Sequence, residues 1–175
     1  MNIMIDLETM GNKPDAAIIA LGAVEFDPVV GLLGREFYEV ISLESAMEQR
    51  GTVDAPTILW WMKQSDEARE EFFGDASPIE DVLRRFSRWF SEGSSVWGNG
   101  ATFDNVILRS AYERSTHQCP WDFWQDRCFR TMNAEHPPID TSGWQAGGAH
   151  NALEDAKWQA RYLVELMQRG WRRAE

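Results

Sequence analysis

The sequence predicts an α/β fold: a mixed central sheet opened by three antiparallel N-terminal strands and flanked by helices. Three observations carry this expectation. Residues 1–41 hold short apolar runs separated by turn residues, helical spacing takes over from about Leu43, and a further strand candidate, Ser95-Val96-Trp97-Gly98, lies between two helical stretches.

Each element has a local reason. Residues 2–8 (Asn-Ile-Met-Ile-Asp-Leu-Glu) form a mostly apolar run suited to a buried strand, closed by Gly11 and Pro14. Residues 17–27 read as a second strand and 36–41 as a third, and the turn chemistry from Asp27-Pro28 to Gly34 makes them a hairpin. Ser77-Pro78-Ile79-Glu80 has the form of a capping box with proline at the first helical position. Val82, Leu83, Phe86, Trp89 and Phe90 then follow at three- and four-residue steps. Residues 102–114 resume helical spacing through Phe103, Ile107 and Ala111. Residues 115–148 read as irregular, with one short helix around 128–134, and a last helix runs from about 151 to 168. No internal repeat or dividing linker is visible, so residues 1–175 are expected to form one domain.

Composition narrows the class. A chain of 175 residues buries roughly two-thirds of its unfolded surface, and nine Trp supply ample core. No apolar run approaches the ~20 residues of a membrane span, and no export signal precedes the first strand, so a cytoplasmic location is expected. Cys119 and Cys128 read as ordinary reduced thiols. The net charge of −11 at first argues against nucleic acid as a partner. The acidity is uneven, however: residues 1–100 hold 8 Lys and Arg against 18 Asp and Glu, residues 101–175 hold 9 against 10. Carboxylates that hold divalent cations would invert the local field and attract phosphate.

Three groups of residues carry possible chemistry. Asp6 and Glu8 stand two apart on a strand, so both leave the same face, where paired anions need a cation between them. Taken alone, the pair also fits a strand that exits into a solvated loop. Asp104 begins a helix behind Trp97-Gly98-Asn99-Gly100, and the helix dipole accounts for it by itself, though not for the glycines, which would let a substrate backbone approach. The third group is His150-Asn151-Ala152-Leu153-Glu154-Asp155 at the start of the last helix. With Ala152, Ala156, Gln159, Leu163 and Leu166 as the buried stripe, Asp155 lies within about 60° of Ala152 and Glu154 about 160° away, so Asp155 points inward. His150, behind Gly147-Gly148, would reach the same place; a loop histidine without a role is the alternative.

Together, Asp-x-Glu, a mid-chain Asp at a helix start and His-x-Ala-x-x-Asp resemble the DEDDh branch of 3′→5′ exonucleases, across residues 6–155. Residues 59–65 (LWWMKQS), Glu67-Ala68-Arg69, Trp97-Gly98-Asn99-Gly100 and Arg127-Cys128-x-Arg130-Thr131 resemble its prophage and mycobacterial exoribonuclease-like branch, some members of which are labelled exodeoxyribonuclease VIII-like. The resemblance implies a ribonuclease H-like fold in which Asp6, Glu8, Asp104 and Asp155 hold two divalent cations, Mg²⁺ or Mn²⁺. It also implies that His150 takes the proton of the attacking water and that nucleoside 5′-monophosphates leave the 3′ end. Thr9 and Met10 would hold the terminal nucleotide. Phe103 would stack on a base or pack in the core, and Arg127 and Arg130 would meet phosphate or solvent. Trp60 and Trp61 lie ~100° apart on one helix, so one is expected at a substrate groove or dimer contact, and Trp61 is the candidate substrate contact. The resemblance implies nucleic acid with a free 3′ end, RNA or DNA, as the partner and, because relatives often pair, a homodimer. The rivals are a DNA-directed exonuclease of phage recombination or repair, a ribonuclease H-like endonuclease, a silent nucleic-acid-binding module and a structural protein.

Overall fold

A computed structural model of the chain describes residues 1–144 and 150–172. In chain order the strands and helices are β1 (Asn2–Thr9), β2 (Ile18–Asp27), β3 (Leu32–Val40), α1 (Leu43–Glu48), α2 (Ala55–Trp61), α3 (Asp66–Glu70), α4 (Ile79–Trp89), β4 (Ser95–Gly98), α5 (Asp104–Arg114), β5 (Asp126–Cys128), α6 (Phe129–Glu135) and α7 (Ala152–Arg172). The five strands form one mixed sheet in the order β3-β2-β1-β4-β5. The β1, β2 and β3 ladders are antiparallel, whereas β4 runs parallel to β1 and β5 parallel to β4.

Alternation along β1 assigns its two faces. Ile3, Ile5 and Leu7 join Phe86 of α4 and Ile107, Leu108 and Tyr112 of α5 in one core cluster, while Met4 joins Val24, Trp97, Ala156, Ala160 and Leu163 in the other. Asp6 and Glu8 share the face of Met4, the one covered by α7. That helix lies close. A Cβ added at Gly22, the β2 partner of Asp6, would come 2.2 Å from the Ala152 carbonyl carbon, so only glycine admits the helix at this height.

Several boundaries differ from the sequence expectation. The third strand begins at Leu32 rather than 36, because Asp27 closes a tighter turn: its Oδ1 accepts the Val29 N–H at 2.8 Å and its carbonyl accepts the Gly31 N–H at 2.9 Å, with Gly31 left-handed at φ +76°. The capping box at Ser77 does not form. Pro78 precedes the first turn of α4, the Ile79 N–H donates to Ser45 Oγ at 3.0 Å, and Glu80 instead meets Thr116 Oγ1 at 3.2 Å and His117 Nε2 at 3.1 Å. The Ser77 N–H extends the sheet edge by donating to the Val40 carbonyl at 2.9 Å. Residues 115–148 contain β5, a three-residue polar strand with no hydrophobic alternation to betray it. Cys119 and Cys128 are free. Among the described residues no helix is long and apolar enough to cross a membrane.

Candidate active site

The parallel strands β1 and β4 end at the same edge of the sheet, where a cleft between strand ends and helix starts is a natural place for a ligand. Asp6 and Glu8 lie in the last half of β1 and are 9% and 8% exposed; Asp104, the first residue of α5, is 2% exposed. The α5 start is pinned to β1 by the Leu7 N–H, which donates to Asp104 Oδ1 at 3.2 Å. It is pinned to the sheet again by Asn105, whose Nδ2 donates to the Val96 carbonyl at 2.9 Å and to Asp126 Oδ1 at 3.0 Å. Gly98 makes room for this: a Cβ there would lie 2.3 Å from Asn105 Oδ1 and 2.9 Å from Asp104 Cβ.

From the other side α7 delivers Asp155, and His150 stands just ahead of the helix. Glu8, His150 and Asp155 each present a ligand atom within 4.8 Å of the others. Asn151 starts the helix by accepting the Glu154 N–H on Oδ1 at 2.9 Å and the Asp155 N–H on its carbonyl at 2.9 Å. Glu154 faces outward and pairs with Lys157 at 2.9 Å, as the helical phase requires. His150 takes a left-handed backbone at φ +64°, uncommon outside glycine, and its ring meets Trp60 edge-on at 4.9 Å and Trp61 at 5.9 Å. The Gly147-Gly148 pair that precedes it lies outside the described residues.

The electrostatics are those of crowded anions. Burial raises the Asp6 carboxyl well above its usual range, and the charges of Asp104, Glu8 and Asp155 push the same way, against one hydrogen bond from Gln159. Burial pushes Asp104 up to about 7, opposed by backbone hydrogen bonds from Leu7, Asp104 and Asn99 and by the charge of Arg130. Burial also raises Asp155, with His150 opposing and Glu154 reinforcing. Asp104 Oδ2 is buried and has no hydrogen bond among the described residues. An oxygen-rich donor set, mutually repelling and with a buried lone pair unused, fits a hard divalent cation and little else.

The remaining sequence candidates sit around this centre. Thr9 is buried and its hydroxyl donates to the Gly11 carbonyl at 2.7 Å, while its own carbonyl accepts the Trp61 indole N–H at 3.0 Å. Met10 is half-buried and, with Trp61, Ile58 and Phe72, lines an apolar cavity of about 720 Å³. Phe103 is half-buried against the core beside Asp104. Of the two adjacent tryptophans the exposed one is Trp60, at 43%, while Trp61 is 5% exposed between His150 and Phe72. Gln159 is the residue that sequence reasoning underrated. It appeared only as a polar member of the buried stripe, yet one turn after Asp155 its Nε2 donates to Asp6 Oδ1 at 2.7 Å. A buried glutamine on an apolar helix face was the available signal.

Comparison with known proteins bears on this arrangement. The family model described as a 3′-5′ exoribonuclease Rv2179c-like domain matches residues 1–167. The chain belongs to this family. An exodeoxyribonuclease of Enterobacteria phage T4 is 30% identical over 162 residues, covering 74% of this chain and 69% of that protein. Among solved structures, the nuclease domain of 3′hExo, a DEDDh family member bound to rAMP, superposes with a TM-score of 0.63 at 16% identity over 96% of this chain and 92% of that one. E. coli exonuclease I in complex with a dT13 oligonucleotide gives a TM-score of 0.68 at 17% identity, over 97% of this chain and 41% of that one. The Rv2179c-like chain therefore has the ribonuclease H-like fold of DEDDh exonucleases and is a hydrolytic 3′→5′ exonuclease.

Proposed function

We propose that this Rv2179c-like protein releases nucleoside 5′-monophosphates one at a time from the 3′ end of RNA or DNA by hydrolysis that depends on two divalent cations, Mg²⁺ or Mn²⁺. The observation that carries the reading is the convergence of Asp6, Glu8, Asp104, Asp155 and His150, drawn from β1, α5 and the start of α7, on one buried anionic cleft. The four carboxylates would hold the ions, which when bound supply Lewis-acid stabilisation of the phosphate oxygens and a more acidic water.

The chain's own residues do the rest. A water oxygen attacks the terminal phosphorus, the bond from phosphorus to the 3′ oxygen breaks, and a ring nitrogen of His150 accepts the water's proton. The left-handed backbone and the edge contacts of Trp60 and Trp61 hold that ring beside Glu8 and Asp155. Gln159 fixes one oxygen of Asp6, and the Leu7 N–H fixes one oxygen of Asp104, so each carboxylate keeps its second oxygen for a cation. Met10 and Trp61 offer an apolar wall to the terminal nucleotide, and the proton needed by the departing 3′ hydroxyl comes from solvent.

The family description favours RNA as substrate, whereas the T4 relative is an exodeoxyribonuclease, which favours DNA as the second reading. Matched RNA and DNA oligonucleotides, labelled at either end and incubated with Mg²⁺, Mn²⁺ or EDTA, test both. Labelled mononucleotide from the 3′ label and a one-nucleotide ladder from the 5′ label are expected, abolished by EDTA. Internal fragments at early times would refute an exonuclease.

A further inference from the structure

Resting on the exonuclease reading, the geometry points to a strand-binding track that leads away from the active site over Arg130 and Arg127 to an exposed aromatic platform, Phe123 and Trp124, where upstream bases of the substrate stack. Phe123 and Trp124 are 71% and 61% exposed, with ring centres 5.1 Å apart and nearly perpendicular. They project from a single 3₁₀ turn, Phe123–Gln125, that is tied down on both flanks. The Asp122 N–H donates to Gln125 Oε1 at 2.8 Å, Gln125 Nε2 donates to the Ser94 carbonyl at 2.7 Å, and the buried Trp121 indole donates to Asp126 Oδ1 at 2.9 Å. Two large rings on a fastened turn are a preorganised surface, and base stacking on aromatic faces is indifferent to sequence, as an exonuclease requires.

The surface is continuous with the site. Arg130 Nε donates to Asn99 Oδ1 at 3.4 Å, its guanidinium lies 3.9 Å from where a Gly100 Cβ would stand, and that loop leads directly into Asp104. On the other side Arg127 Nη1 donates to the Trp124 carbonyl at 2.8 Å. Both arginines are exposed, and neither joins an ion pair among the described residues, in a chain whose net charge is −11. From Trp124 to Arg130 the backbone reaches no more than roughly 20 Å, so at ~3.4 Å or more per phosphate the strip spans about six nucleotides at most. Cations that neutralise phosphates beside rings that receive bases form the usual groove for a single strand.

Fluorescence anisotropy tests this with 5′-labelled oligothymidylate and oligouridylate of four and twelve nucleotides, with Ca²⁺ replacing the catalytic ion. Wild-type protein is expected to bind the twelve-mers more tightly than the four-mers. The F123A/W124A double variant should lose at least fivefold of that advantage. R127A and R130A should each lower the slope of log Kd against log salt by about one. Light scattering accompanies each variant. An unchanged twelve-mer advantage in F123A/W124A overturns the proposal, and a simultaneous fall in oligomeric mass would assign the rings to contact with a second copy of the chain. Equal wild-type binding of four- and twelve-mers also overturns it, leaving the exonuclease reading intact. Failure of the wild type to bind or degrade any oligonucleotide would instead sink the exonuclease reading.

Discussion

Gly22→Ala adds one methyl group where the sheet and α7 touch, and it probes how finely the two halves of the site are matched. The new Cβ would stand 2.2 Å from the Ala152 carbonyl carbon, 2.3 Å from the Leu153 nitrogen and 2.4 Å from the Ala152 oxygen, whereas ordinary contact begins at 3.4 Å. All three neighbours are helix backbone, which cannot rotate away, so the start of α7 must retreat by about 1.2 Å. Asp155 and His150 travel with it; Asp6 and Glu8, on the strand paired with Gly22, do not. A misplacement of ~1 Å among reacting groups costs roughly 10²-fold in rate, and the overpacked interface costs about 1–3 kcal/mol of stability. The assay is single-turnover release of nucleotide from a 3′-labelled oligonucleotide in saturating Mn²⁺, alongside a Mn²⁺ titration by calorimetry and a thermal melt. Gly170→Ala is the control, because the same methyl on the same helix meets nothing within 4 Å. A Gly22→Ala variant that stays folded and matches wild type within threefold in both rate and Mn²⁺ affinity would refute the claim that helix height sets the site.

Three further predictions follow from the same geometry. His150→Ala should retain oligonucleotide binding and lower turnover by roughly 10²–10⁴-fold, and near wild-type turnover would remove His150 from proton transfer. In EDTA, stability should fall as pH rises from about 5 to 8. The folded state raises Asp104 from 3.8 to about 7 and Asp6 in the same direction, so it binds more protons than the unfolded chain across that window. The loss is on the order of a few kcal/mol by urea denaturation; Asp104→Asn and saturating Mn²⁺ should each flatten it, and a rise in stability over this range would contradict the sign. Gln159→Leu should weaken Mn²⁺ binding by roughly tenfold or more, because Asp6 loses its orienting donor. Unaltered Mn²⁺ affinity in that variant would reduce Gln159 to a packing residue.

What the sequence made legible, and what it hid, follows from how each feature is encoded. Asp6 and Glu8 were readable because strand alternation puts residues two apart on one face, and Asp155 because helical phase separates it from Glu154. The order of the three motifs carried the rest, since convergence of residues distant in the chain leaves no local trace. The capping box that the sequence implies at Ser77 does not form, because local hydrogen-bond potential loses to a tertiary donor and acceptor: Ser45 takes the helix end, and Glu80 goes to Thr116 and His117. The strand Asp126–Cys128 escaped because three polar residues held by Arg109 and Asn105 through Asp126 show no periodicity. Trp60 and Trp61 could not be ranked from phase alone, because their burial depends on His150, which arrives from ninety residues away and packs on both.

Anomalous diffraction from crystals soaked in Mn²⁺ examines the central claim with the fewest intervening assumptions. Two peaks are predicted, with ligands drawn from Asp6, Glu8, Asp104 and Asp155 and with the His150 ring beside them. Crystals that stay ordered in saturating Mn²⁺ and show no peak among these carboxylates would contradict it.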